Sequence, residues 1–234
     1  MRYRALATDY DGTIAHDGVV DDATVQALQQ AREAGLKLVL VTGRELSSLF
    51  NTFAHPDAFD RIVAENGAVV YEPGTKEVRT LASPPPPALI DMLQSGQVPL
   101  EIGHSIVATV TPHEHAVLEA IRALKIEWHV IFNKHAVMAL PADVTKATGL
   151  TVALRELDVS AEETVGVGDA ENDQSFLRLV GLSAAVANAL AEVKALADVT
   201  TGGRRGEGVR ELIEQLLGGH LDAVAHRTDK VPPA

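Results

Sequence analysis

Residues 3–13 read YRALATDYDGT, and this stretch decides the fold. Residues 3–8 are mostly apolar and predict a short buried strand that ends at Asp9. Asp9 and Asp11 place two carboxylates directly after this strand, and Gly12 allows the chain to turn immediately afterwards. The stretch therefore predicts the first strand of a sheet, with acidic groups at its carboxyl end.

The residues that follow alternate between helix and strand patterns. Residues 21–35 (DDATVQALQQAREAG) predict a helix that an aspartate caps and a glycine ends. Residues 36–41 (LKLVLV) form a continuous apolar run, which is typical of a strand covered on both faces of a parallel sheet. Residues 1–83 therefore predict an α/β fold with a Rossmann-like, doubly wound parallel sheet. The other predicted elements of this part are a helix at about 45–53, a strand at 61–64 and a hairpin at 69–81.

The alternation stops at residues 84–87, where four prolines follow one another. Beyond them the pattern reads helix, strand, strand, helix, strand, strand, and the second helix opens with a predicted capping box at 111–114. This order lacks strand–helix–strand units and predicts a small inserted α+β domain. The predicted division is a core of 1–83 and 146–217, an inserted cap domain of 84–145, and a flexible tail or linker of 218–234.

Composition narrows the function classes. The chain has 234 residues, of which 46% are hydrophobic, so it can bury a core. Its 32 Asp and Glu residues outnumber its 20 Lys and Arg residues, and the net charge of −12 disfavours binding to a nucleic-acid backbone. The absence of cysteine excludes thiolate metal sites and a cysteine nucleophile.

Targeting signals are not apparent either. No apolar run reaches the roughly 20 residues of a membrane span, and the N-terminal residues turn acidic before a signal-peptide core could form. We therefore predict a soluble, cytoplasmic protein with no nucleic-acid or membrane partner.

Four chemically distinctive segments come directly after predicted strands or at predicted helix starts. They are DYDGT at 9–13, VTGR at 41–44, GDAEND at 168–173, and Lys146, where the chain returns from the insert. In an open α/β sheet the carboxyl ends of the parallel strands lie at one edge, where ligands bind. We therefore expect these segments to meet in one crevice.

The crevice would then hold up to four carboxylates, from Asp9, Asp11, Asp169 and Asp173. Two like charges about 4 Å apart repel by about 4 kcal/mol at an effective dielectric constant of about 20, so such a cluster requires a cation. Oxygen ligands without histidine or cysteine favour Mg²⁺ over zinc. The sequence thus predicts Mg²⁺ as the cofactor.

The same edge of the sheet offers groups that bind a phosphate. Thr42 supplies a hydroxyl and a backbone N–H at a predicted helix start, where anions are stabilised. Lys146 adds a point charge. Carboxylates, a divalent cation and a separate phosphate site together indicate phosphoryl transfer.

The four segments, in this order, resemble the motifs of the haloacid dehalogenase (HAD) superfamily of aspartate-nucleophile phosphatases. AENGA at 64–68 is similar to a motif of the Cof-type branch, and the insert is similar to the type C2B cap of subfamily IIB. The resemblance covers about 1–217, and the layout is similar to that of small phosphoglycolate and sugar-phosphate phosphatases. Two departures are mild: Tyr10 stands where an aliphatic residue is commoner, and Ala-Thr-Gly rather than an immediate glycine follows Lys146.

The resemblance implies a Mg²⁺-dependent phosphatase that acts on a small phosphorylated metabolite. Asp9 would be the nucleophile and would form an aspartyl-phosphate intermediate. Asp11 would be the general acid toward the leaving oxygen and then the general base for water. The metal would be held by Asp9, Asp169 and the backbone carbonyl of Asp11, with support from Asp173.

The resemblance also implies which residues bind the substrate. Thr42, Gly43 and Lys146 would bind the phosphoryl group, and Asn172 would orient it or the nucleophile. Substrate choice would lie in the cap and at the adjoining edge of the core. The candidate substrate-binding residues are Arg44, Glu65, Asn66 and Lys134, with His104, Trp128, Asn133 and His135 as further positions in the cap.

Two other functions stay open at this point. Sugar phosphomutases of the phosphomannomutase type share this core and cap, although the short insert is poorly suited to holding a sugar while it reorients. The other alternative is a regulatory HAD-like domain of a larger polypeptide, which the proline-ended tail motivates. The oligomeric state is not determined by these patterns.

Overall fold

The computed structural model describes residues 2–133 and 135–224. Its strands are β1 (Ala5–Thr8), β2 (Lys37–Val41), β3 (Arg61–Ala64), β4 (Val69–Glu72), β5 (Glu77–Thr80), β6 (Glu101–Ile102), β7 (Val107–Val110), β8 (Trp128–Asn133), β9 (Ala136–Pro141), β10 (Thr164–Gly168), β11 (Leu182–Ala185) and β12 (Val199–Thr200). Its α-helices are α1 (Asp22–Glu33), α2 (Leu46–Thr52), α3 (Pro87–Ser95), α4 (Glu114–Leu124), α5 (Lys146–Glu156), α6 (Gln174–Leu179), α7 (Ala191–Leu196) and α8 (Arg205–Leu217). Within the described ranges, no helix combines the length and the apolar character needed to cross a membrane.

The larger of two sheets has eight strands in the order β12-β11-β10-β1-β2-β3-β4-β5. β1 lies near its centre and pairs in parallel with β10 on one side and β2 on the other. β4 and β5 pair antiparallel at one edge, because the hairpin predicted at 69–81 folds back after β3. The prediction of a Rossmann-like α/β fold is confirmed, with a mixed rather than a purely parallel sheet.

Helices cover this sheet in pairs: α1 packs against α8, and α5 packs against α6. Asp21 caps α1, and its carboxylate accepts a hydrogen bond from the backbone N–H of Thr24 at 2.8 Å. The apolar stripe of Val25, Leu28 and Ala31 is buried along the same helix. β1 is buried at all four positions, as predicted for a short buried strand at residues 3–8.

The smaller sheet has four antiparallel strands in the order β6-β7-β9-β8. α3 packs against α4, and an apolar cluster that includes Val107, Val117 and Val137 joins these helices to the sheet. Met138 and Leu140 belong instead to the apolar cluster of the larger sheet. Because side chains alternate along a strand, the smaller sheet turns one face to its own helices and the other to the larger sheet. We propose that residues 84–145 form one domain, which we call the cap, and that residues 1–83 and 146–217 form the other, which we call the core.

The capping box predicted at 111–114 is wrong. α4 begins at Glu114, so His113 rather than Thr111 occupies the capping position. The side chain of His113 makes no capping hydrogen bond. The backbone N–H of Thr111 donates to the carbonyl of His135 at 3.0 Å, so the pairing of β7 with β9 continues through Thr111 and the helix starts two residues later than a cap there requires.

The start of the predicted flexible tail is packed against the core. Leu221 is buried, and the backbone N–H of Arg2 donates to Oδ1 of Asp222 at 3.2 Å. The apolar side chain of Leu221 therefore extends the core beyond α8. The rest of the predicted tail, residues 225–234, lies outside the described residues.

Gly149 of α5 and Gly67 of the core approach each other closely, and this contact allows α5 to pack tightly against the core. The hydroxyl of Thr145 accepts from the backbone N–H of Thr148 at 3.2 Å, so the helix begins at Lys146. A Cβ at Gly149 would lie 2.6 Å from the Cα of Gly67 and equally close to a buried valine. Only glycine fits there, because neither the backbone nor the packed valine can yield. This contact sets the depth at which Lys146 lies.

We expect Gly149→Ala to lower the free energy of unfolding by about 1–3 kcal/mol, because the added methyl group pushes α5 away from the core. The higher helix propensity of alanine, about 1 kcal/mol, opposes this loss without relieving the clash. Urea unfolding followed by circular dichroism measures the change. Thr151→Ala, at an exposed position of the same helix, is the control and changes stability by less than about 0.5 kcal/mol. Wild-type stability in Gly149→Ala would contradict the close approach.

Candidate active site

The carboxyl ends of β1 and β10 bring three aspartates together. These strands are parallel neighbours with Thr8 opposite Val167, so Asp9 and Asp169 follow at the same edge of the sheet. Asp173 joins them from the turn that follows β10. All three are buried, and each offers a carboxylate oxygen within 4.8 Å of the others. Carboxylates at this spacing repel strongly unless cations lie among them.

Lys146 supplies one such cation. Its Nζ lies 2.6 Å from Oδ1 of Asp9 and 2.6 Å from Oδ1 of Asp173, and the residue is 2% exposed. The second oxygen of Asp173, Oδ2, accepts from the backbone N–H groups of Asp169 at 2.8 Å and Ala170 at 2.9 Å. Asp173 thus holds both Lys146 and the loop that carries Asp169.

The donor set of this cluster fits a divalent cation. One ammonium balances one of the three carboxylates, and the remaining negative charge suits a doubly charged ion. The cluster offers only carboxylate oxygens and no nitrogen or sulfur ligand. Oxygen ligands are those that Mg²⁺ prefers. The acidic cluster therefore supports a divalent metal site, and the choice of Mg²⁺ belongs to the proposal below.

Burial of the cluster changes its proton affinities. Burial raises the pKa of Asp9 to about 8, and the charge of Asp173 adds to the rise while Lys146 opposes it. Burial by itself would lower the pKa of Lys146, but the carboxylates of Asp173 and Asp9 outweigh burial and raise that pKa. Lys146 is therefore charged at neutral pH. Asp9 needs further positive charge nearby to stay ionised, which a divalent cation would supply.

Asp11, the predicted general acid, is paired with Arg44. Arg44 donates from Nε to Oδ2 of Asp11 and from Nη2 to Oδ1, both at 2.7 Å. The guanidinium of Arg44 lies 5.2 Å from the centre of the Tyr10 ring, and the Tyr10 hydroxyl donates to the carbonyl of Gly18 at 2.8 Å. Tyr10, the departure from the family pattern, is therefore a buried support for Arg44. Substrate binding by Arg44 stays a prediction. A substrate would meet an Arg44 side chain that is already paired with Asp11.

Thr42 offers fewer donors to a phosphate than the sequence predicts. Its backbone N–H donates to the carbonyl of Val63 at 2.8 Å, because the pairing of β2 with β3 continues through this residue. α2 begins only at Leu46, so the prediction of a free backbone N–H at a helix start is wrong. The hydroxyl of Thr42 accepts from the backbone N–H of Arg44 at 3.1 Å. Phosphate binding by this hydroxyl and by Gly43, which lines the cavity described below, stays a prediction.

Asn66 and Asn172 form a polar bridge beside the cluster. Nδ2 of Asn172 donates to Oδ1 of Asn66 at 3.0 Å, and Nδ2 of Asn66 donates to Sδ of Met138, in the cap, at 3.2 Å. The backbone N–H of Asn66 donates to the carbonyl of Thr42 at 3.0 Å. Asn66 is fully buried and connects Thr42, Asn172 and the cap. Substrate binding by Asn66 and the orienting role of Asn172 stay predictions.

Glu65 faces the cap. Its side chain is fully buried, and it binds the cap loop, residues 103–106, between β6 and β7. Oε1 accepts from the backbone N–H of His104 at 2.9 Å, and Oε2 accepts from that of Ser105 at 2.8 Å. Substrate binding by Glu65 stays a prediction, and both of its oxygens already accept hydrogen bonds from the cap loop. Lys134, the remaining predicted substrate-binding residue, lies outside the described residues.

A cavity of about 490 Å³ lies between the core and the cap. Asp9, Asp11, Gly43 and Arg44 line its core side, and Asn133 is a polar residue on its cap side. The cap side also has an apolar wall, which the sequence did not lead us to predict. Alternate residues of β7 and β9 are small or apolar, and this pattern indicates that they share one face of their strands. The cavity therefore has a charged side and an apolar side. The apolar wall consists of Leu100, Ile106, Ala108, Val110, Ala136 and Met138.

The amino-acid sequence matches the haloacid dehalogenase-like hydrolases over residues 6–95 and 104–213. The chain belongs to this family. A phosphoglycolate phosphatase of Methanothermobacter thermautotrophicus is 31% identical over 224 residues, which cover 92% of this chain and 99% of the relative. Phosphoglycolate phosphatase 1 of Saccharolobus solfataricus is 25% identical over 241 residues, which cover 94% of this chain and 99% of the relative.

Solved structures agree with the fold. A haloacid dehalogenase-like hydrolase from Bacteroides thetaiotaomicron superposes with a TM-score of 0.77 at 20% identity, over 92% of this chain and 99% of its own. A sugar phosphatase of HAD subclass IIB superposes with a TM-score of 0.73 at 20% identity, over 91% of this chain and 98% of its own. The family and the sequence relatives together confirm the prediction of a HAD-type phosphatase.

We expect Mg²⁺ to raise the melting temperature of the wild type and to leave that of Asp169→Asn unchanged, because the variant lacks one of the predicted charged ligands. At a Mg²⁺ concentration of about 100 times Kd, binding stabilises the protein by about 2.7 kcal/mol. For a chain of this size that corresponds to a rise of roughly 5–10 °C in differential scanning fluorimetry.

Asp158→Asn is the matched control for this measurement. Asp158 is an exposed aspartate that precedes β10, at the opposite end of the strands, so the variant keeps the Mg²⁺ response. An equal rise in melting temperature in Asp169→Asn and the wild type would show that the metal binds elsewhere.

Proposed function

We propose that this phosphatase uses Mg²⁺ and hydrolyses a small phosphorylated metabolite of the phosphoglycolate class. The observation that carries the proposal is the position of Asp9: its carboxylate lines the cavity, 2.6 Å from the ammonium of Lys146 and beside Asp169. Relatives that match over nearly their whole length are phosphoglycolate phosphatases, which supports this substrate class over a hexose phosphate.

The reaction consists of two displacements at phosphorus. In the first, a carboxylate oxygen of Asp9 attacks phosphorus, the bond from phosphorus to the leaving oxygen breaks, and Asp11 protonates that oxygen. In the second, water attacks the phosphorus of the aspartyl-phosphate and Asp11 accepts its proton. The bond from phosphorus to Asp9 breaks, and its electron pair restores the carboxylate. Lys146 offsets negative charge at the phosphoryl group in both displacements.

The metal would be held by Asp9, Asp169 and the backbone carbonyl of Asp11. When bound, it would offset charge on the phosphoryl oxygens. Asp173 would contribute mainly through Lys146 and through the loop that carries Asp169, since both of its oxygens already accept hydrogen bonds there.

Arg44 connects the substrate to the general acid. Of the described residues that line the cavity, Arg44 is the one with a positive charge, whereas Glu45 and Glu101 are acidic. A carboxylate on the leaving group therefore binds Arg44. This contact competes with Asp11 for the guanidinium and releases Asp11 toward the leaving oxygen. Lys134, which follows the cavity-lining Asn133, is a proposed second cation.

The proposed partner is a small phosphate ester rather than a nucleic acid. The net charge of −12 supports this choice, since a polyanion would be repelled by the surface as a whole. A small substrate requires positive charge only within the cavity. The cytoplasmic location stays a prediction.

We expect Asp9→Asn to lower Mg²⁺-dependent phosphate release from p-nitrophenyl phosphate by a factor on the order of 10³ or more, because the amide cannot act as the nucleophile. A colorimetric phosphate assay measures the loss. Asp57→Asn, at an exposed aspartate before β3, is the control and keeps wild-type turnover. Comparable turnover in Asp9→Asn and the wild type would eliminate Asp9 as the nucleophile. A phosphomutase would instead yield an isomerised ester with little free phosphate.

Phosphoglycolate and ethyl phosphate differ in the carboxylate that Arg44 is proposed to bind. We expect kcat/KM of the wild type to be at least about tenfold higher for phosphoglycolate, as one charge-assisted contact provides. In Arg44→Gln this ratio falls toward one, because the contact with the substrate carboxylate is lost. The variant also disturbs Asp11, but this disturbance affects both substrates and does not enter the ratio. A wild type that prefers ethyl phosphate would contradict the carboxylated substrate class.

A further inference from the structure

Glu65 stands where the edge of the active site meets the cap. It follows β3 directly, and its backbone N–H donates to the carbonyl of Arg44 at 2.9 Å. Its side chain is fully buried, although no step of the proposed reaction uses it. A buried carboxylate is costly unless its oxygens receive hydrogen bonds, so the donors that face it identify its role.

The donors to Glu65 come from the cap loop. The backbone N–H groups of His104 and Ser105 donate to the two carboxylate oxygens at 2.9 and 2.8 Å. Nδ1 of the His104 ring lies 3.1 Å from Oε1. Hydrogen bonds to an ionised carboxylate are roughly twice as strong as neutral ones. One side chain of the core therefore holds two consecutive backbone positions of the cap.

The same loop forms part of the cavity wall. Gly103 and Ile106, on either side of the two donors, line the cavity. A Cβ at Gly103 would lie 2.6 Å from Oε1 of Glu65, so the backbone approaches the carboxylate as closely as glycine allows. The hydroxyl of Ser105 also donates to the carbonyl of Ala82 at 2.8 Å, just before the chain enters the cap. The position of Glu65 therefore sets the position of this wall.

We propose that Glu65 is a positioning residue that fastens the cap loop over the active site and thereby sets the affinity for the leaving group. The inference rests on the proposed function, since it assumes that the leaving group lies against the cap. A carboxylate suits a reversible contact between the core and the cap loop. Water hydrates the carboxylate when the loop has moved away from the core, and the backbone N–H groups of the loop bind it when the loop lies against the core. An apolar contact such as that of Ile106 favours only the state in which the loop lies against the core.

Hydrogen–deuterium exchange of the whole protein tests the contact without any substrate. In Glu65→Ala the amides of His104 and Ser105 lose their acceptors, and we expect them to exchange at least about tenfold faster while the amides of β1 and β10 keep their rates. Glu65→Gln keeps the shape and one acceptor oxygen, so its effect on the cap loop is smaller. Asp198→Asn is the matched control, because this carboxylate accepts from the backbone N–H of Ser183 at 2.8 Å within the core. It leaves exchange in the cap loop unchanged.

Steady-state kinetics with phosphoglycolate test the consequence. In Glu65→Ala we expect KM to rise about tenfold while kcat stays within about threefold, because the wall of the cavity is displaced and the catalytic aspartates are not. Glu65→Gln restores part of the affinity. Asp198→Asn leaves both constants at their wild-type values, since a merely structural loss in the core does not move the cavity wall.

Several outcomes would overturn the role of Glu65. These are unchanged exchange in the cap loop of both Glu65 variants, faster exchange spread evenly over the whole protein, or a fall in kcat at constant KM. If Glu65→Ala does not fold, the exchange rate of Glu65→Gln decides alone. A wild type that does not hydrolyse phosphoglycolate would contradict the proposed function, and the exchange result would still decide whether Glu65 holds the loop.

Discussion

The structure depends on one buried charge balance, in which Lys146 lies between the carboxylates of Asp9 and Asp173, next to Asp169. The aspartates follow two neighbouring parallel strands, whereas the lysine begins the first helix after the cap. The contact from Lys146 to Asp9 spans 137 residues and joins the two stretches of the core that lie on either side of the cap in the sequence. A buried charge without its partner would be strongly destabilising. The groups that are proposed to supply the chemistry therefore also hold the two halves of the core together.

Polar contacts define how the core and the cap meet. Apolar residues such as Ile106 and Met138 exclude water from the contact, but apolar burial is not directional. Glu65 and Asn66, neighbours at the end of β3, add direction: one binds the backbone of the cap loop, and the other links Met138 to Asn172. One short segment of the core thus relates the position of the cap to the position of the acidic cluster. Through this segment, the cavity wall that the cap provides influences the reaction proposed for the core.

Local patterns predicted the elements and the acidic positions because local chemistry governs both. The apolar run at 36–41 became β2, and the motifs at 9–13 and 168–173 follow parallel strands at one edge of the sheet. The roles of Arg44 and Glu65 were harder to predict. A charged residue near an active-site motif suggests a ligand contact, but each of these found its partner within the protein, in segments 33 and 39 residues away. No periodicity or motif encodes such a pairing.

The sequence by itself determined the order of strands and helices, the family motifs and the positions of the candidate catalytic side chains, because the elements follow from hydrophobic period and the motifs are short and local. Only the tertiary structure decided how the charged groups pair. It placed Arg44 on Asp11, the cap loop on Glu65 and the carbonyl of Val63 on the N–H of Thr42. The physical reason is that a buried polar group must find a partner from whichever segment packs beside it, and packing between distant segments is a property of the whole fold.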